Sequence, residues 1–372
     1  MDKLFSPSME ESRIFRNQQA LMPEYVPSSL LHRDNQIREI ADSLKPTLKH
    51  LKPQNLLIHG PTGTGKTSSV KYVFNELKEF SGKVHCIHIN CWEFPSKQAI
   101  LSYIAEKIGL GLARRGLADD EIFRRIIEQL KYDKKSAIIA LDEVDRLLHK
   151  NETDVLYQLS RSDENYKIVF GIIGITNVPE IFYSLDDRIR SSLSLKEMHF
   201  PQYSPQQLKD ILEERAKIAL KQGTYSAEII ALCAAHGAKN KGDARIAIET
   251  LLQAAMKADS KEKSRIEVAD VKAVIEKAAE SSLMKNVDLM GENEKMLLQI
   301  LKDAKEKGKS LTSGEIYQKF NELRKKERKE PVSERHIMNY LQMFESARLI
   351  SAELASDPKS NAGKTKIIRL IR

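Results

Sequence analysis

The fold is decided by one short stretch of the sequence, Gly60-Pro61-Thr62-Gly63-Thr64-Gly65-Lys66-Thr67. It fits the pattern G-x-x-x-x-G-K-[ST], and it lies between an apolar run and a helical pattern, as such a loop requires. The glycines let the loop wrap so that its backbone N–H groups point inward at phosphate oxygens, assisted by the positive end of the following helix. A glycine-rich turn that arises by chance is the alternative, and it does not explain the flanking elements.

The chemistry of this loop predicts a nucleotide ligand. Lys66 carries the charge that neutralises the β- and γ-phosphates, and the Thr67 hydroxyl suits Mg²⁺, a hard cation that prefers oxygen ligands. We therefore predict that ATP or ADP binds here with Mg²⁺. The predicted contacts are Pro61, Thr62, Gly63, Thr64, Gly65, Lys66, Thr67 and Ser68.

A second apolar run, Ile138–Leu141, ends abruptly in acidic residues. Because carboxylates at the carboxyl end of a buried strand face the ligand crevice of an open α/β sheet, they belong to the same predicted site. Asp142 is predicted to act on the metal together with Thr67, and Glu143 to polarise the attacking water. Asp145 is predicted to cap a helix.

The apolar run Ile168–Ile175 is followed by Thr176 and Asn177. By the same argument, Asn177 brings an uncharged hydrogen-bonding side chain to this edge of the sheet, where it positions the water or contacts the γ-phosphate. Its alternative role is that of a turn residue before Pro179.

Short apolar runs alternate with helical patterns as far as Phe200, which predicts a doubly wound α/β domain with a parallel sheet. The runs are Asn55–His59, Val84–Asn90, Ala137–Leu141, Ile168–Ile175 and Glu197–Phe200. After Pro201 the apolar spacing becomes helical, which predicts a small helical bundle. Its helices are Gln206–Gln222, Ser226–His236, Asp243–Ala258 and Val268–Ser281.

The last region predicts a winged helix-turn-helix, formed by three helices and a hairpin. The helices are Asn293–Lys307, Ser313–Arg324 and Ser333–Ala347, and the strands are Leu349–Leu354 and Thr365–Ile371. Thr312 and Glu315 form a predicted capping box, and Ser333 is a predicted N-cap. We thus divide the chain into a flexible segment (1–20), a nucleotide-binding domain (21–200), a helical lid (201–283) and a winged helix (284–372).

The charge of the chain points to a polyanion partner. Lys and Arg number 60 against 52 Asp and Glu, a formal net charge of +8. Residues 324–372 hold 12 Lys or Arg and 6 Asp or Glu, so 12 − 6 = +6 of this excess lies there. Nucleic acid explains this concentration because basic side chains release counterions from phosphates, and a solvated basic tail is the alternative.

Sequence composition also bears on location. The chain has three cysteines, Cys86, Cys91 and Cys233, whose irregular placement does not suggest a disulfide framework. No apolar run approaches the roughly 18–20 residues that span a bilayer, and Met1–Ala20 has no apolar signal core. We predict a protein of the cytoplasm, without a membrane partner, associated with the nucleoid.

With these motifs in place, the chain resembles AAA+ ATPases, and more narrowly the origin-recognition and licensing ATPases that act as archaeal replication initiators. The resemblance covers nearly the whole chain. It implies that four kinds of segment contact the nucleotide or act in its hydrolysis: Val26, Pro27 and Arg33 beside the adenine, Arg188 in box VII, Arg245 in the sensor-2 motif Gly242-Asp243-Ala244-Arg245, and Tyr203 and Arg215 in the lid. Without the resemblance, each of these arginines is an ordinary helix-surface cation. Action of Arg188 on a neighbour's nucleotide requires an assembly.

The resemblance also covers an insertion, at about residues 91–130, that is similar to the initiator-specific helices of the family. Leu101, Ile104, Ala105 and Ile108 are predicted to form a buried stripe. Arg114 and Arg115 stand beside Gly116 at the predicted tip, where an exposed pair suits contact with the DNA backbone or minor groove. A solvated turn is the alternative.

The winged helix supplies the other predicted DNA contacts. Ile337, Tyr340, Leu341 and Phe344 share the face of the third helix that is predicted to pack inward. The opposite face is the predicted recognition surface, formed by Ser333, Arg335, His336 and Asn339. Lys364 and Lys366 in the wing are predicted to contact a phosphate or the minor groove.

We interpret the chain as an ATP-dependent replication initiator. It binds double-stranded origin DNA and helps to load the replicative MCM helicase, with slow ATP hydrolysis as a switch; other initiator paralogues on DNA are further candidate partners. Two alternatives remain. One is a signalling ATPase whose winged helix folds against the nucleotide domain, and the other is a clamp-loader-like remodelling subunit.

Overall fold

The computed structural model describes residues 12–111, 117–288, 291–346, 350–356 and 364–370. The chain divides into two compact units, Met1–Val274 and Ile275–Arg372. The division falls within a single helix, Val268–Asp288, which continues past the predicted end of the lid at residue 283. Among the described residues, no helix combines the length and the apolar character needed to cross a membrane.

The first unit contains a parallel sheet of five strands, which confirms the predicted fold class. The strands are β1 (Leu56–His59), β2 (Val84–Asn90), β3 (Ser136–Asp142), β4 (Phe170–Thr176) and β5 (Lys196–His199). Their order in the sheet is β2-β3-β4-β1-β5. Both faces of the sheet are covered, because alternate residues such as Ile138 and Ile139 pack into two separate apolar clusters. Burial on both faces explains the uninterrupted apolar runs of the sequence.

Helices connect these strands and cover both faces of the sheet. They are α1 (Asp34–Leu44), α2 (Lys66–Phe80), α3 (Lys97–Lys107), α4 (Asp119–Asp133), α5 (Asp145–His149), α6 (Asp154–Ser160), α7 (Ser162–Tyr166) and α8 (Asp187–Leu193). The α3 and α4 helices form the insertion. The predicted stripe on α3 is buried, with Leu101, Ile104 and Ala105 at 0% exposure and Ile108 at 6%. Arg114 and Arg115 lie outside the described residues.

Four helices follow the sheet and form the lid. They are α9 (Pro205–Ala219), α10 (Ala227–Lys239), α11 (Ala244–Asp259) and α12 (Val268–Asp288). A capping box opens α9, because the Ser204 hydroxyl accepts a hydrogen bond from the Gln207 backbone and the Gln207 side chain accepts one from the Ser204 backbone. The predicted helical bundle is therefore present.

Residues 12–20 differ from the prediction of a flexible segment, because they pack against the lid. Ile14 is fully buried, and the Arg16 backbone N–H donates to the carbonyl oxygen of Ala219 at 2.8 Å. The carbonyl of Ile14 accepts a hydrogen bond from the Lys221 backbone at 2.9 Å. A short segment without periodicity gives no local signal for order, and these contacts come from residues about 200 positions away in the sequence.

The second unit is the predicted winged helix. Its helices are α13 (Glu292–Glu306), α14 (Ser313–Lys326) and α15 (Glu334–Ser346), and its antiparallel strands are β6 (Leu311–Thr312), β7 (Ile350–Ser356) and β8 (Lys364–Leu370). The capping box of Thr312 and Glu315 is present as predicted. The short β6 strand was not predicted. It pairs with β8 and precedes α14 directly.

Candidate nucleotide site

The phosphate loop joins β1 to α2, and Lys66 is the first residue of that helix. Its ammonium group donates to the carbonyl oxygens of Gly60 and Pro61, both at 2.7 Å, and to Asn177 Oδ1 at 2.8 Å. Burial, together with the nearby charge of Arg245, lowers the pKa of Lys66 to about 8. The structure thus brings together Lys66 at the start of α2 and Asn177 just after β4.

The Thr67 hydroxyl donates to the carboxylate of Asp142 at 2.7 Å, at the carboxyl end of β3. The same carboxylate oxygen lies 3.1 Å from His88 Nε2 on the neighbouring strand β2. Burial acts to raise the pKa of Asp142, but the hydrogen bonds from His88 and Thr67 outweigh it and hold this pKa below its usual value. His88 was not predicted as a site residue. The parallel pairing of β2 with β3 is the feature that places it there.

Glu143 follows Asp142 in a left-handed backbone conformation, with φ of 53°. A non-glycine residue pays roughly 1–2 kcal/mol for this conformation. Burial raises the pKa of Glu143, and the charges of Asp142 and Asp145 raise it further. A raised pKa makes Glu143 a stronger proton acceptor than an exposed glutamate.

The prediction that Asp145 caps a helix is wrong. Asp145 is the first residue of α5, and Val144 occupies the N-cap position. Its carboxylate instead accepts a hydrogen bond from the Thr176 hydroxyl at 2.8 Å. An N-cap role for Asp145 requires the helix to begin at residue 146, but α5 begins at Asp145 itself. The Asp145 carboxylate therefore faces the end of β4.

The lid contacts the phosphate loop through the segment that opens α11. The Ala244 backbone N–H donates to the Gly63 carbonyl at 3.1 Å, and Asp243 caps the helix by accepting from the backbone of Arg245 at 2.8 Å. A Cβ atom on Gly63 would lie 1.8 Å from Asp243 Oδ1, so only glycine fits there. The Arg245 side chain is exposed, and its charge is close enough to lower the pKa of Lys66.

Arg33 is 2% exposed and connects the loop to the start of the lid. Its guanidinium donates to the carbonyl oxygens of Thr64 at 2.9 Å, Pro201 at 2.7 Å and His32 at 3.1 Å. It also stacks over the ring of Tyr203, 3.8 Å from the ring centroid. Burial lowers the pKa of Arg33, although the nearby Tyr203 acts in the opposite direction.

The other residues assigned by resemblance lie in two places. Arg215 is 9% exposed on α9, where it donates to the carbonyl oxygens of Ala20 at 2.9 Å and Tyr25 at 3.2 Å. It therefore holds the segment that continues into Val26 and Pro27, of which Val26 is half-buried and Pro27 is buried. Arg188 stands apart, because its side chain is 86% exposed at the start of α8, 3.7 Å from Asp186.

These residues fit a nucleoside triphosphate with Mg²⁺. Thr67 and Asp142 present a hydroxyl and a carboxylate at one point, which is the all-oxygen set that Mg²⁺ prefers. The remaining loop residues surround the same position: Pro61 and Ser68 are half-buried, Thr62 is exposed, Gly63 and Thr64 are buried, and the backbone of Gly65 has a positive φ of 85°.

The predicted recognition face of the winged helix is exposed. Ser333, Arg335, His336 and Asn339 are all exposed, whereas Ile337, Leu341 and Phe344 are buried and Tyr340 is half-buried against the same core. The Ser333 hydroxyl lies 3.1 Å from His336 Nδ1. Lys366 lies 3.8 Å from Glu345, and the side chain of Lys364 lies outside the described residues.

Three family models match successive parts of the chain. An AAA domain matches residues 50–182, a Cdc6 AAA+ ATPase-type lid domain residues 209–276, and a CDC6 C-terminal winged helix domain residues 290–371. An ORC1-type DNA replication protein from Desulfurococcus amylolyticus is 34% identical, over the whole of this chain and 94% of its own length. The chain belongs to the archaeal ORC1-type DNA replication protein family.

Further similarities agree with this family. ORC1-type DNA replication protein 1 of Sulfurisphaera tokodaii is also 34% identical, over the whole of this chain and 93% of its own length. Among solved structures, the Aeropyrum pernix ORC1 protein in complex with DNA has a TM-score of 0.67 and 31% identity, covering 97% of this chain and 94% of that one. The predicted resemblance is confirmed, and the family is one of AAA+ ATPases that carry a winged helix.

Proposed function

We propose that this chain is an ATP-dependent replication initiator that binds double-stranded origin DNA. One observation carries the proposal: two neighbouring residues at the start of α2 bind side chains at the ends of two strands, Lys66 that of Asn177 after β4 and Thr67 that of Asp142 on β3. The same chain presents the exposed recognition face of a winged helix. A DNA complex of a relative with 31% identity supports the DNA partner.

The site residues then have distinct roles. Lys66 and the loop backbone bind the β- and γ-phosphates, and Thr67 and Asp142 hold Mg²⁺, which neutralises developing phosphate charge when bound. Glu143 accepts the proton of the attacking water because burial raises its pKa. Asn177 accepts a hydrogen bond from Lys66, so it orients the ammonium towards the phosphates.

The remaining roles follow the resemblance. We propose that Arg245 senses the γ-phosphate from the lid, since its charge already reaches Lys66. Arg188, with a side chain that is 86% exposed, is available to a neighbouring copy. Arg215 shapes the adenine side by holding the segment that leads to Val26 and Pro27, and Arg33 and Tyr203 contact the nucleotide from the side of the phosphate loop.

In the cell, we propose that the chain associates with the nucleoid and acts on the replicative MCM helicase. Initiator paralogues are further proposed partners on DNA. Slow hydrolysis makes ATP a switch, because ATP and ADP give the lid different contacts. Arg114 and Arg115 of the insertion tip are proposed as a second DNA contact.

DNA binding is tested by comparing two exposed basic residues of the second unit. We expect Arg335→Ala to weaken binding of origin duplex about tenfold or more, because a base-edge contact is lost. Lys302→Ala is the matched control on α13, on a surface outside the recognition face, and should weaken binding far less. Equal effects on origin and scrambled duplexes would contradict sequence recognition by this face.

The switch is tested by comparing Lys66→Ala with Glu143→Gln. Lys66→Ala should weaken ATP binding strongly, whereas Glu143→Gln should retain binding and lose hydrolysis. Chromatin immunoprecipitation with sequencing should give sharp peaks at replication start sites for the wild type. Flat occupancy would overturn the initiator function and favour a signalling or clamp-loader ATPase.

A further inference from the structure

The open edge of the sheet in the first unit is bordered by a groove of about 520 Å³. The strand β2 is the last in the order β2-β3-β4-β1-β5, so its outer edge pairs with no strand among the described residues. Five consecutive residues of β2, Val84 to His88, line this groove. The groove lies at the side of the sheet and shares only His88 with the nucleotide site.

The backbone of β2 is aligned to receive another strand. The Ser136 N–H donates to the Lys83 carbonyl, and the Cys91 N–H donates to the Asp142 carbonyl. Odd-numbered residues of β2 therefore direct their backbone groups towards β3, and even-numbered residues direct theirs outward. Val84, Cys86 and His88 thus present N–H and carbonyl groups to the groove.

The walls of the groove carry positive charge. Lys78 comes from the end of α2, Lys107 from α3, and Lys135 from the residue just before β3, and none of the residues that line the groove is acidic. The two helices pack on opposite faces of the sheet, since their apolar residues belong to different clusters. Lys107 lies 3.5 Å from Glu106, whereas Lys78 and Lys135 form no ion pair with any residue in the described part of the chain.

Two further features mark the groove. The ring of Tyr103 borders it, with the ammonium of Lys107 4.8 Å from the ring centroid. The Nε2 atom of His85 is buried and has no hydrogen-bond partner among the described residues.

The occupant of the groove follows from its open edge and its charge. An unpaired strand edge is a template for another chain, and lysines beside it repel an identical edge. The charge therefore disfavours a second copy of this chain and favours an acidic strand.

We propose that this groove binds an extended acidic segment of a partner protein, which adds to β2 as a sixth strand. The main-chain hydrogen bonds at Val84, Cys86 and His88 supply affinity, and the lysines on both faces select acidic side chains. Val84 to His88 spans about 13 Å of extended chain, so a segment of five to seven residues fills the edge.

The probe for this site is a fluorescein-labelled hexapeptide of four glutamates and two valines, titrated against the full chain by fluorescence anisotropy. We expect binding that falls about tenfold in the double variant Lys78→Glu, Lys135→Glu, because two attractive charges become repulsive. The double variant Lys239→Glu, Lys261→Glu, at two exposed positions of the lid, is the charge-matched control and should bind as the wild type does. Circular dichroism and ATP binding check that the double variant folds.

Two comparisons separate strand addition from simple charge attraction. A peptide that is N-methylated at the alternate residues facing β2 keeps its charge but loses its donors, so its binding should fall well below that of the unmodified peptide and remain above that of a lysine-for-glutamate peptide. Hydrogen exchange should show protection of the amides of Val84, Cys86 and His88 only with the unmodified acidic peptide. Equal binding of the methylated peptide, unprotected amides, or no binding at all overturns the proposal. If duplex DNA displaces the peptide from the wild type and binds more weakly to the Lys78→Glu, Lys135→Glu variant, the groove binds phosphates and the proposal is overturned.

Discussion

The pKa of Lys66 predicts that the affinity for ATP depends on pH. This pKa is about 8 because the ammonium is buried among carbonyl oxygens beside the charge of Arg245. A triphosphate beside Lys66 adds negative charge, which raises the same pKa. Binding is therefore linked to proton uptake: the full affinity is present below pH 8 and is lost as the pH rises above it.

The magnitude follows from the fraction of Lys66 that is charged. With a pKa of about 8, roughly nine-tenths of the side chain is protonated at pH 7 and roughly one-tenth at pH 9. If only the ammonium form binds the phosphates, the affinity falls about tenfold over this interval, or about 1.4 kcal/mol. His59 does not contribute to this change, because burial lowers its pKa below the usual histidine value of 6.5.

Isothermal titration calorimetry with Mg²⁺ and ATP measures this dependence. At pH 8.5, two buffers with different ionisation enthalpies should reveal the uptake of most of one proton per ATP bound. Lys66→Met serves as the control, since its residual affinity should not change between pH 7 and 9. A wild-type affinity that stays constant across this range, or a parallel decline in Lys66→Met, would refute the assignment of the linkage to Lys66.

Three further predictions concern single contacts. Arg33→Met should lower the free energy of unfolding of the first unit by about 3 kcal/mol, because buried carbonyl oxygens lose their donors. Urea denaturation followed by the fluorescence of Trp92, the only tryptophan, measures this value, and a loss below about 1 kcal/mol would speak against it. His88→Ala should raise the Mg²⁺ concentration for half-maximal hydrolysis about tenfold, because Asp142 loses a hydrogen bond that lowers its pKa; an unchanged Mg²⁺ profile contradicts this role. Asp243→Ala should destabilise the first turn of α11 by about 1 kcal/mol in hydrogen exchange, and Asp243→Asn should retain most of the cap. Equal losses in both variants would exclude capping as the cause.

The elements that were predicted correctly from the sequence are those whose pattern is formed by neighbouring residues. The five strands were predicted because burial on both faces leaves continuous apolar runs such as Ile138–Leu141. The loop Gly60–Thr67 and the capping box at Thr312 depend on neighbouring residues alone, and both are present. The role of each loop residue stays a prediction, although the structure brings Lys66 and Asn177 together.

The features that sequence missed depend on distant parts of the chain. His88 contacts Asp142 only because β2 and β3 are neighbours in the sheet, an order that no periodicity reveals. Ile14 looks like an isolated apolar residue until the lid covers it. Arg33 looks like a surface cation, yet carbonyl oxygens more than thirty and more than a hundred and sixty positions away accept its donors.

The packing of residues 12–25 on α9 changes how the lid can move. Because this segment is held by Ala219 and Arg215, it belongs to the lid although it precedes the sheet in sequence. The chain therefore crosses between lid and sheet twice, once near Arg33 and again near Tyr203. A domain that is joined to its neighbour by two chain segments rotates most easily about the line that connects these segments. The guanidinium of Arg33 and the ring of Tyr203, which stack 3.8 Å apart, mark these two crossings, so we expect the pair to stay in contact when the lid opens.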